Sequence, residues 1–286
     1  MIAKNFSRCA KTYDKAAVLQ QEIGKRLIER LAFIKITPST ILDLGSGTGF
    51  FSKFLLQQYP HATLFNIDIA EGMLSYANKN NSHYSNQLYP ISICADAEFL
   101  PLQNNSIDFI FSNCMLQWSF NPQDILKEIN RVLKPDGLFL FSTFGPDTLK
   151  ELKQSFLDFD PNPHINLFMD MHDMGDLLLQ ANFIDPVMDM EHFTLTYKTV
   201  VDLVQDLRQT GSNRMYPTTD IPATFHPKSF REKLIQHYEL FRTSENRLPA
   251  TFEIVYGHAF GNTHKSLYRA DEEGVISIPA DSLEML

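Results

Sequence analysis

The chain has 286 residues (32.8 kDa), 44% hydrophobic and 21% charged, an ordinary globular balance that excludes disordered, collagen-like and repetitive classes. Its net charge of −9 argues against a general nucleic-acid binder, which needs surplus Lys and Arg to neutralise phosphates. No apolar run reaches the roughly 18 residues of a membrane span, and Lys4 and Arg8 are followed by polar residues rather than a signal-peptide core. Cys9, Cys94 and Cys114 form neither a disulfide framework nor a CxxC metal site, so a cytoplasmic protein without metal is expected. Residues 1–36 hold eight basic against three acidic residues, a local +5, which leaves about −14 on the rest. This excess reads as a solvated helix face or as a docking face for an acidic partner.

In chain order, Val18, Leu19, Ile23, Leu27 and Leu31 predict an amphipathic helix over 16–33, broken by Pro38 and Ser39. Strands are predicted at 41–45, 62–68, 89–96, 106–113 and 138–144, with helices at 52–59, 72–80 and 123–133 between them. Lys134-Pro135-Asp136-Gly137 reads as a turn, since Pro cannot continue a helix and Gly accepts positive φ. Beyond Phe144 the rhythm changes to helices at 147–159, 171–183, 199–211 and 229–242, loops at 160–168 and 216–227, and strands at 188–197 and 248–261. The polar stretch 262–286 is expected to be a poorly ordered tail. The alternation implies an α/β, doubly wound and mostly parallel sheet with helices on both faces.

Asp43-Leu44-Gly45-Ser46-Gly47-Thr48-Gly49 lies between the first strand and the first helix of that sheet. Its glycines let the backbone turn sharply and approach a ligand at the carboxyl end of the strand. The spacing is GxGxG, without the GxGxxG of dinucleotide folds or the Lys of a triphosphate loop. Asp68 ends the next strand, where a carboxylate takes ribose hydroxyls. Asp96-Ala97 ends the third, placed to accept from an adenine amino group, and Asn113 ends the fourth, beside the expected reaction centre. Adenosine without phosphates suits this set and points to S-adenosylmethionine.

ILDLGSGTG, IDIAEGML, ADAEFLPL, SIDFIFSN and RVLKPDG resemble, in order and spacing, the motifs of class I S-adenosylmethionine-dependent methyltransferases over about residues 38–145. The resemblance implies a Rossmann-like, seven-stranded fold. It places Asp43, Gly45, Ser46, Gly47 and Gly49 along the methionine and ribose, Asp68 on the ribose diol, Asp96 and Ala97 at the adenine, and Ile69 and Met73 as adenine wall or core. FSRCAKTYDKAAVLQQ (6–21), SNCMLQW (112–118), FSTFGPDTLKEL (141–152), HINLF (164–168) and DLRQTGSN (206–213) are together similar to the malonyl-[acyl-carrier protein] O-methyltransferases of biotin synthesis, over about 5–260. Ser46 stands where that family usually has Cys.

The organisation this implies is one methyltransferase domain over 1–261, with a helical lid at 1–36, a cofactor core at 37–145 and substrate-lid insertions at about 146–170 and 198–247. The substrate implied is malonyl-acyl-carrier protein, with malonyl-CoA as a smaller surrogate, for a monomeric enzyme with no nucleic acid, membrane or metal. Arg208 is the first candidate for the malonyl carboxylate and Arg214 the second, because guanidinium pairs bidentately with carboxylates. Tyr13 is expected to close over the cofactor or donate to the substrate, Gln117 and Trp118 to wall the reaction site, and His164 and Asn166 to touch substrate or fix their loop. The basic excess of 1–36, Arg26 and Arg30 included, is the expected carrier-docking face, with Lys228, Arg231 and Lys233 as a second patch. The rival readings are a complex I assembly hydroxylase of the same fold, a ubiquinone-type carbon methyltransferase and a non-catalytic cofactor-binding assembly protein.

Overall fold

Apolar runs of strand length alternate with amphipathic helices, and each run must bury both of its faces. A computed structural model of the chain describes residues 2–80, 89–119, 121–160, 162–211 and 228–262. Its strands are β1 (Thr40–Leu44), β2 (Thr63–Asp68), β3 (Ile91–Cys94), β4 (Ile107–Asn113), β5 (Leu133–Phe144), β6 (Ile184–Tyr197) and β7 (Leu248–Phe260). They form one seven-stranded sheet in the order β3-β2-β1-β4-β5-β7-β6. The first five run parallel, and β7 is antiparallel to both β5 and β6. The helices are α1 (Ile2–Ala16), α2 (Val18–Glu29), α3 (Ser52–Gln58), α4 (Glu71–Asn80), α5 (Pro122–Val132), α6 (Lys150–Leu157), α7 (Met171–Gln180), α8 (Val200–Gln209) and α9 (Lys228–Tyr238).

Side chains alternate across the strands and divide the core in two. Phe109 and Phe111 of β4 pack with Ile41, Leu138, Leu140 and Tyr256 under Ile23 and Leu27 of α2. Ile110 joins Leu42, Leu44, Phe139 and Phe141 on the other face, against Ile125 and Ile129 of α5 and Leu178 of α7. β1, β2 and β4 are thereby fixed from both sides, so that their carboxyl ends can hold loops in one place.

Two expectations change. The helix expected at 16–33 is present as α2 with a 3-10 turn over Arg30–Phe33, but a further helix, α1, precedes it across Ala17, which leaves helical geometry at φ −78°, ψ 43°. α1, ahead of that break, escaped the periodicity because its buried side is short: Phe6, Ala10 and Tyr13 are its inward apolar residues. Lys134–Gly137 is not a free turn but a bulge inside β5, where the pairing jumps from Ile107↔Leu133 to Phe109↔Leu138. Asp136 takes a left-handed φ of 57°, and its amide bonds the Gly261 carbonyl at 3.0 Å, so the turn chemistry is kept while β7 encloses it. The tail beyond residue 262 and the loop at 216–227 lie outside the described residues.

α2 is also strapped to the far edge of the sheet. Arg26 pairs with Glu22 at 3.0 Å and with Glu191 of β6, and its guanidinium lies 4.7 Å over the Phe193 ring. Arg30 reaches Asp189 at 2.5 Å and stacks 3.8 Å over Tyr256. These arginines are therefore engaged inside the fold, which removes them from the expected docking face. Arg30→Ala should lower stability by about 1–2 kcal/mol, the worth of a partly desolvated cation–π contact together with a surface ion pair. A urea midpoint unchanged from wild type would show that the strap contributes nothing.

Candidate active site

β1 delivers the chain into the glycine loop at the carboxyl edge of the sheet. The Gly45 and Ser46 amides both bond the Ile67 carbonyl, at 2.8 and 3.1 Å, which locks the loop to β2. Gly45, Gly47 and Gly49 all hold positive φ, at 75°, 55° and 73°, where a side chain would be strained. Gly45 faces the Met115 side chain, whereas a Cβ on Gly47 would meet nothing within 4 Å. Gly47 therefore opens onto space, as a close-approach position for a ligand requires.

Asp68 ends β2 with its carboxylate beneath this loop. It accepts from the Gly47 amide at 2.8 Å and from the Ala70 amide at 2.7 Å. Burial raises its pKa, and these two amides pull it partly back. Asp43, buried on β1, is pushed up to about 7, first by burial and then by the nearby Asp68 charge, with Ser52 opposing. Ser52 also holds Asn66 of β2 at 2.9 Å, so the acids stand on a fixed polar floor.

α1 covers the loop. Asp14 accepts from the Thr48 hydroxyl at 2.6 Å, Ser7 takes the Gly72 amide at 3.1 Å, and Asn113 bonds the Gln20 carbonyl of α2 at 3.0 Å. Tyr13 lies in the same cleft with Asp14, Gln20, Gln21, Asp43, Gly45, Gly47 and Phe51. Burial above all, then neighbouring thiols and acids, raises the Tyr13 phenol, so it stays protonated. The Ser46 hydroxyl and the Gln20 carbonyl oxygen Oε1 are buried in this cleft without a hydrogen-bond partner. Orphaned polar atoms facing an open glycine fit a polar ligand. The cavity beneath α1 is about 50 Å³, whereas small-molecule sites run to roughly 300–1,000 Å³. The larger groove of about 560 Å³, around Leu31, Ile34 and Tyr59, is lined by neither glycine nor carboxylate.

The other expected residues are spread around this cleft. Ile69 is exposed and Met73 is buried in the packing between α4 and α1. Asp96 is exposed, taking the Glu98 amide at 3.1 Å, and Ala97 is half-buried. Gln117 is held by the Cys114 carbonyl at 2.7 Å and by Thr143 at 3.3 Å. Trp118 packs edge-on to Phe6 of α1, 5.3 Å between centroids. Arg208 is exposed, and its carbonyl accepts from the Cys9 thiol of α1 at 3.8 Å. His164 bonds Asp160 at 2.9 Å and stacks on Phe156 at 4.1 Å, while Asn166 follows in the same loop; neither lines the cleft. Arg214 lies outside the described residues.

The sequence reading missed Asp14, Gln20, Gln21, Thr48 and Phe51 in the cleft lining. Asp14 and the glutamines sat inside the quoted 6–21 segment, but no spacing rule ties a helix to a distant glycine loop. Asp147 of the turn after β5, His192 of β6 and Glu253 of β7 bring ligand atoms within 4.8 Å of one another. Lys150 already pairs with Asp147 at 3.0 Å, and Glu253 accepts the Asp147 amide at 2.7 Å, so this group pins the turn after β5. No helix among the described residues is long and apolar enough to cross a membrane.

The Asp43 shift has a measurable consequence. The native state keeps this proton up to about pH 7, while the unfolded chain releases it near pH 4. Folding is therefore progressively disfavoured as pH rises through that window. Asp43→Asn should remove this loss, so the variant's stability relative to wild type should climb between pH 5 and pH 8 in urea unfolding. A difference that stays flat with pH would show that Asp43 is ionised in the native state throughout.

Comparison with known proteins gives these residues a setting. A family model described as "Methyltransferase domain" matches residues 42–141, which span β1 to β5. The malonyl-[acyl-carrier protein] O-methyltransferase of Gallionella capsiferriformans (strain ES-2) is 45% identical over 259 residues, 89% of this chain and 88% of that protein. Its namesake from Nitrosospira multiformis is 43% identical over 91% of this chain and 88% of its own length. The enzyme numbered 1 in Coxiella burnetii is 38% identical over 99% and 94%. Among solved structures, the YcgJ protein of a Bacillus superposes with a TM-score of 0.59 at 13% identity, covering 85% of this chain and 99% of its own, which bears on the fold alone. With the loop, its acids and the covering helix in place, the chain belongs to the malonyl-[acyl-carrier protein] O-methyltransferase family and is an S-adenosylmethionine-dependent methyltransferase.

Proposed function

We propose that the enzyme methylates the free carboxylate of malonyl-acyl-carrier protein, giving the methyl ester that lets chain-elongating enzymes accept it as an apolar starter in biotin synthesis. The observation that carries the reading is the cleft itself, an open glycine loop over Asp68 with two orphaned polar atoms under α1, in a chain aligned nearly end to end with relatives of that name. The rival readings lack any such full-length relative among those named above.

When bound, S-adenosylmethionine supplies an electrophilic methyl group on a sulfonium centre. Asp68 would take the ribose hydroxyls, Gly45, Ser46, Gly47 and Gly49 the methionine side, and Asp96, Ala97 and Ile69 the adenine. Met73 would back the adenine through α4, and Asp43, which lines the same cleft, would hydrogen-bond the methionine side. A malonyl carboxylate is already ionised at neutral pH, since carboxyl groups titrate near pH 4, so no general base is required. The protein's task is alignment and exclusion of water, where well-oriented partners gain roughly 7–11 kcal/mol. Tyr13, protonated and inside the cleft, can donate to the carboxylate. Asn113, Gln117 and Trp118 hold the wall between that carboxylate and the lid. Arg208, at the junction of α8 and α1, is the cation proposed to meet the substrate anion when the lid closes, with Arg214 as its alternate. His164 and Asn166 shape the loop rather than move protons.

The direct test is mass spectrometry of malonyl-carrier protein after incubation with enzyme and S-adenosylmethionine, with acetyl-carrier protein alongside. Malonyl-carrier protein should gain one methyl group and acetyl-carrier protein none. Arg208→Ala should reduce kcat/KM at least about tenfold, less than a fully buried pair would cost because the side chain is water-accessible in the free enzyme. Methylation of both thioesters, or of neither, would contradict the reading, and an unaltered Arg208→Ala variant would pass the carboxylate to Arg214.

A further inference from the structure

α1 has two faces of opposite character. Inward, Phe6, Ala10 and Tyr13 pack on Ala70 and Met73, and Asp14 holds the glycine loop through Thr48. Outward, Lys4, Arg8, Lys11 and Lys15 are all exposed, spaced by four, three and four residues. At 3.6 residues per turn they fall within about 60° of arc, on the side away from the cleft. Among the described residues none of the four meets a carboxylate, whereas Arg26 of α2 and Arg30, just past its end, are both tied down by acids of β6. The stripe does not serve the helix that carries it. Like charges three and four residues apart oppose helix formation. α1 also has no acid in its first turn, so Lys4 faces the positive end of the dipole unopposed. In a chain of net charge −9, four unpaired cations in one row are complementary to a partner more acidic than the chain itself.

We propose that the outer face of α1, formed by Lys4, Arg8, Lys11 and Lys15, is the docking surface for the acidic acyl-carrier protein. This rests on the reading of malonyl-carrier protein as substrate. Carrier proteins are acidic as a class and present their acyl group on a long, flexible thioester arm. A helix with its side chains is about 10–12 Å across, so an arm anchored on the outer face passes a single helix edge to reach Tyr13 and Asn113. The helix that covers the cofactor cleft is then also the one that the carrier holds. The second basic patch is weaker: Arg231 and Lys233 flank the acidic Glu232 on α9, which packs on α6.

The test uses two independent double reversals in the full chain, Arg8→Glu with Lys11→Glu and Lys4→Glu with Lys15→Glu, and the milder pair Arg8→Ala with Lys11→Ala. Binding of holo-carrier protein is measured by calorimetry at low salt. Turnover is followed with malonyl-carrier protein and with malonyl-pantetheine, which has the arm but no protein. Each reversal should raise the carrier Kd and KM about tenfold or more, leave kcat and the malonyl-pantetheine KM within about twofold, and converge on wild type as salt is added. The alanine pair should shift the same constants in the same direction by less. Unchanged carrier affinity in both reversals would overturn the proposal, as would equal losses on both substrates, which would mark a damaged lid. Wild-type enzyme binding phosphatidylglycerol vesicles as tightly as the carrier would also overturn it and mark a membrane surface. If wild type methylates neither thioester, the substrate reading fails, and the calorimetric arm still decides the stripe by itself.

Discussion

The hydrogen bond from the Gly47 amide to the Asp68 carboxylate, 2.8 Å long, joins the loop after β1 to the end of β2. It can form only because the loop keeps three residues at positive φ and because β1 and β2 are held in register from Thr40↔Thr63 to Leu44↔Ile67. The cost of holding Asp68 there is partial desolvation of a carboxylate, offset by two backbone amides. That arrangement leaves a carboxylate, an open glycine and the buried Ser46 hydroxyl on one small patch of surface. The two-sided core beneath it is what keeps the patch rigid.

α1 completes the site from above, and its attachments differ in kind from those of the sheet. Few apolar residues anchor it, and much of its hold is polar: Asp14 on Thr48, Ser7 on the Gly72 amide, and the weak Cys9 thiol contact to α8. Segments with few buried apolar contacts lie at the low end of local stability. The fold thus joins a rigid floor to a more loosely held cover. α2, in contrast, is held by Ile23 and Leu27 in the core and by Arg26, which with Arg30 just past its end reaches acids of β6, so the change in attachment falls at Ala17.

Much of this was legible in the sequence because it is local. The alternation of apolar runs gave the strands, and three glycines between a strand and a helix gave the loop. Asp68 could be placed because it ends the strand that follows the loop and its helix. The cover was not legible in the same way. Asp14 and Thr48 lie far apart in sequence and meet only through the packing of α1 on α4, and Gln20 enters the cleft because the chain bends at Ala17. Arg26 and Arg30 looked like free basic surface because the acids that bind them, Asp189 and Glu191, stand on an edge strand late in the chain. The Lys134–Gly137 turn was chemically right, but its enclosure in β5 depends on β7, the last strand to be added.

We propose that α1 lifts to admit the cofactor and is then held down by it. Hydrogen exchange of the full-length enzyme, with and without saturating S-adenosylhomocysteine, reads this directly. The α1 amides from Ser7 to Asp14 should exchange at least about tenfold faster without ligand, while β1 and β4 stay equally protected in both states. Protection of α1 that matches the sheet core and does not change on binding would contradict it.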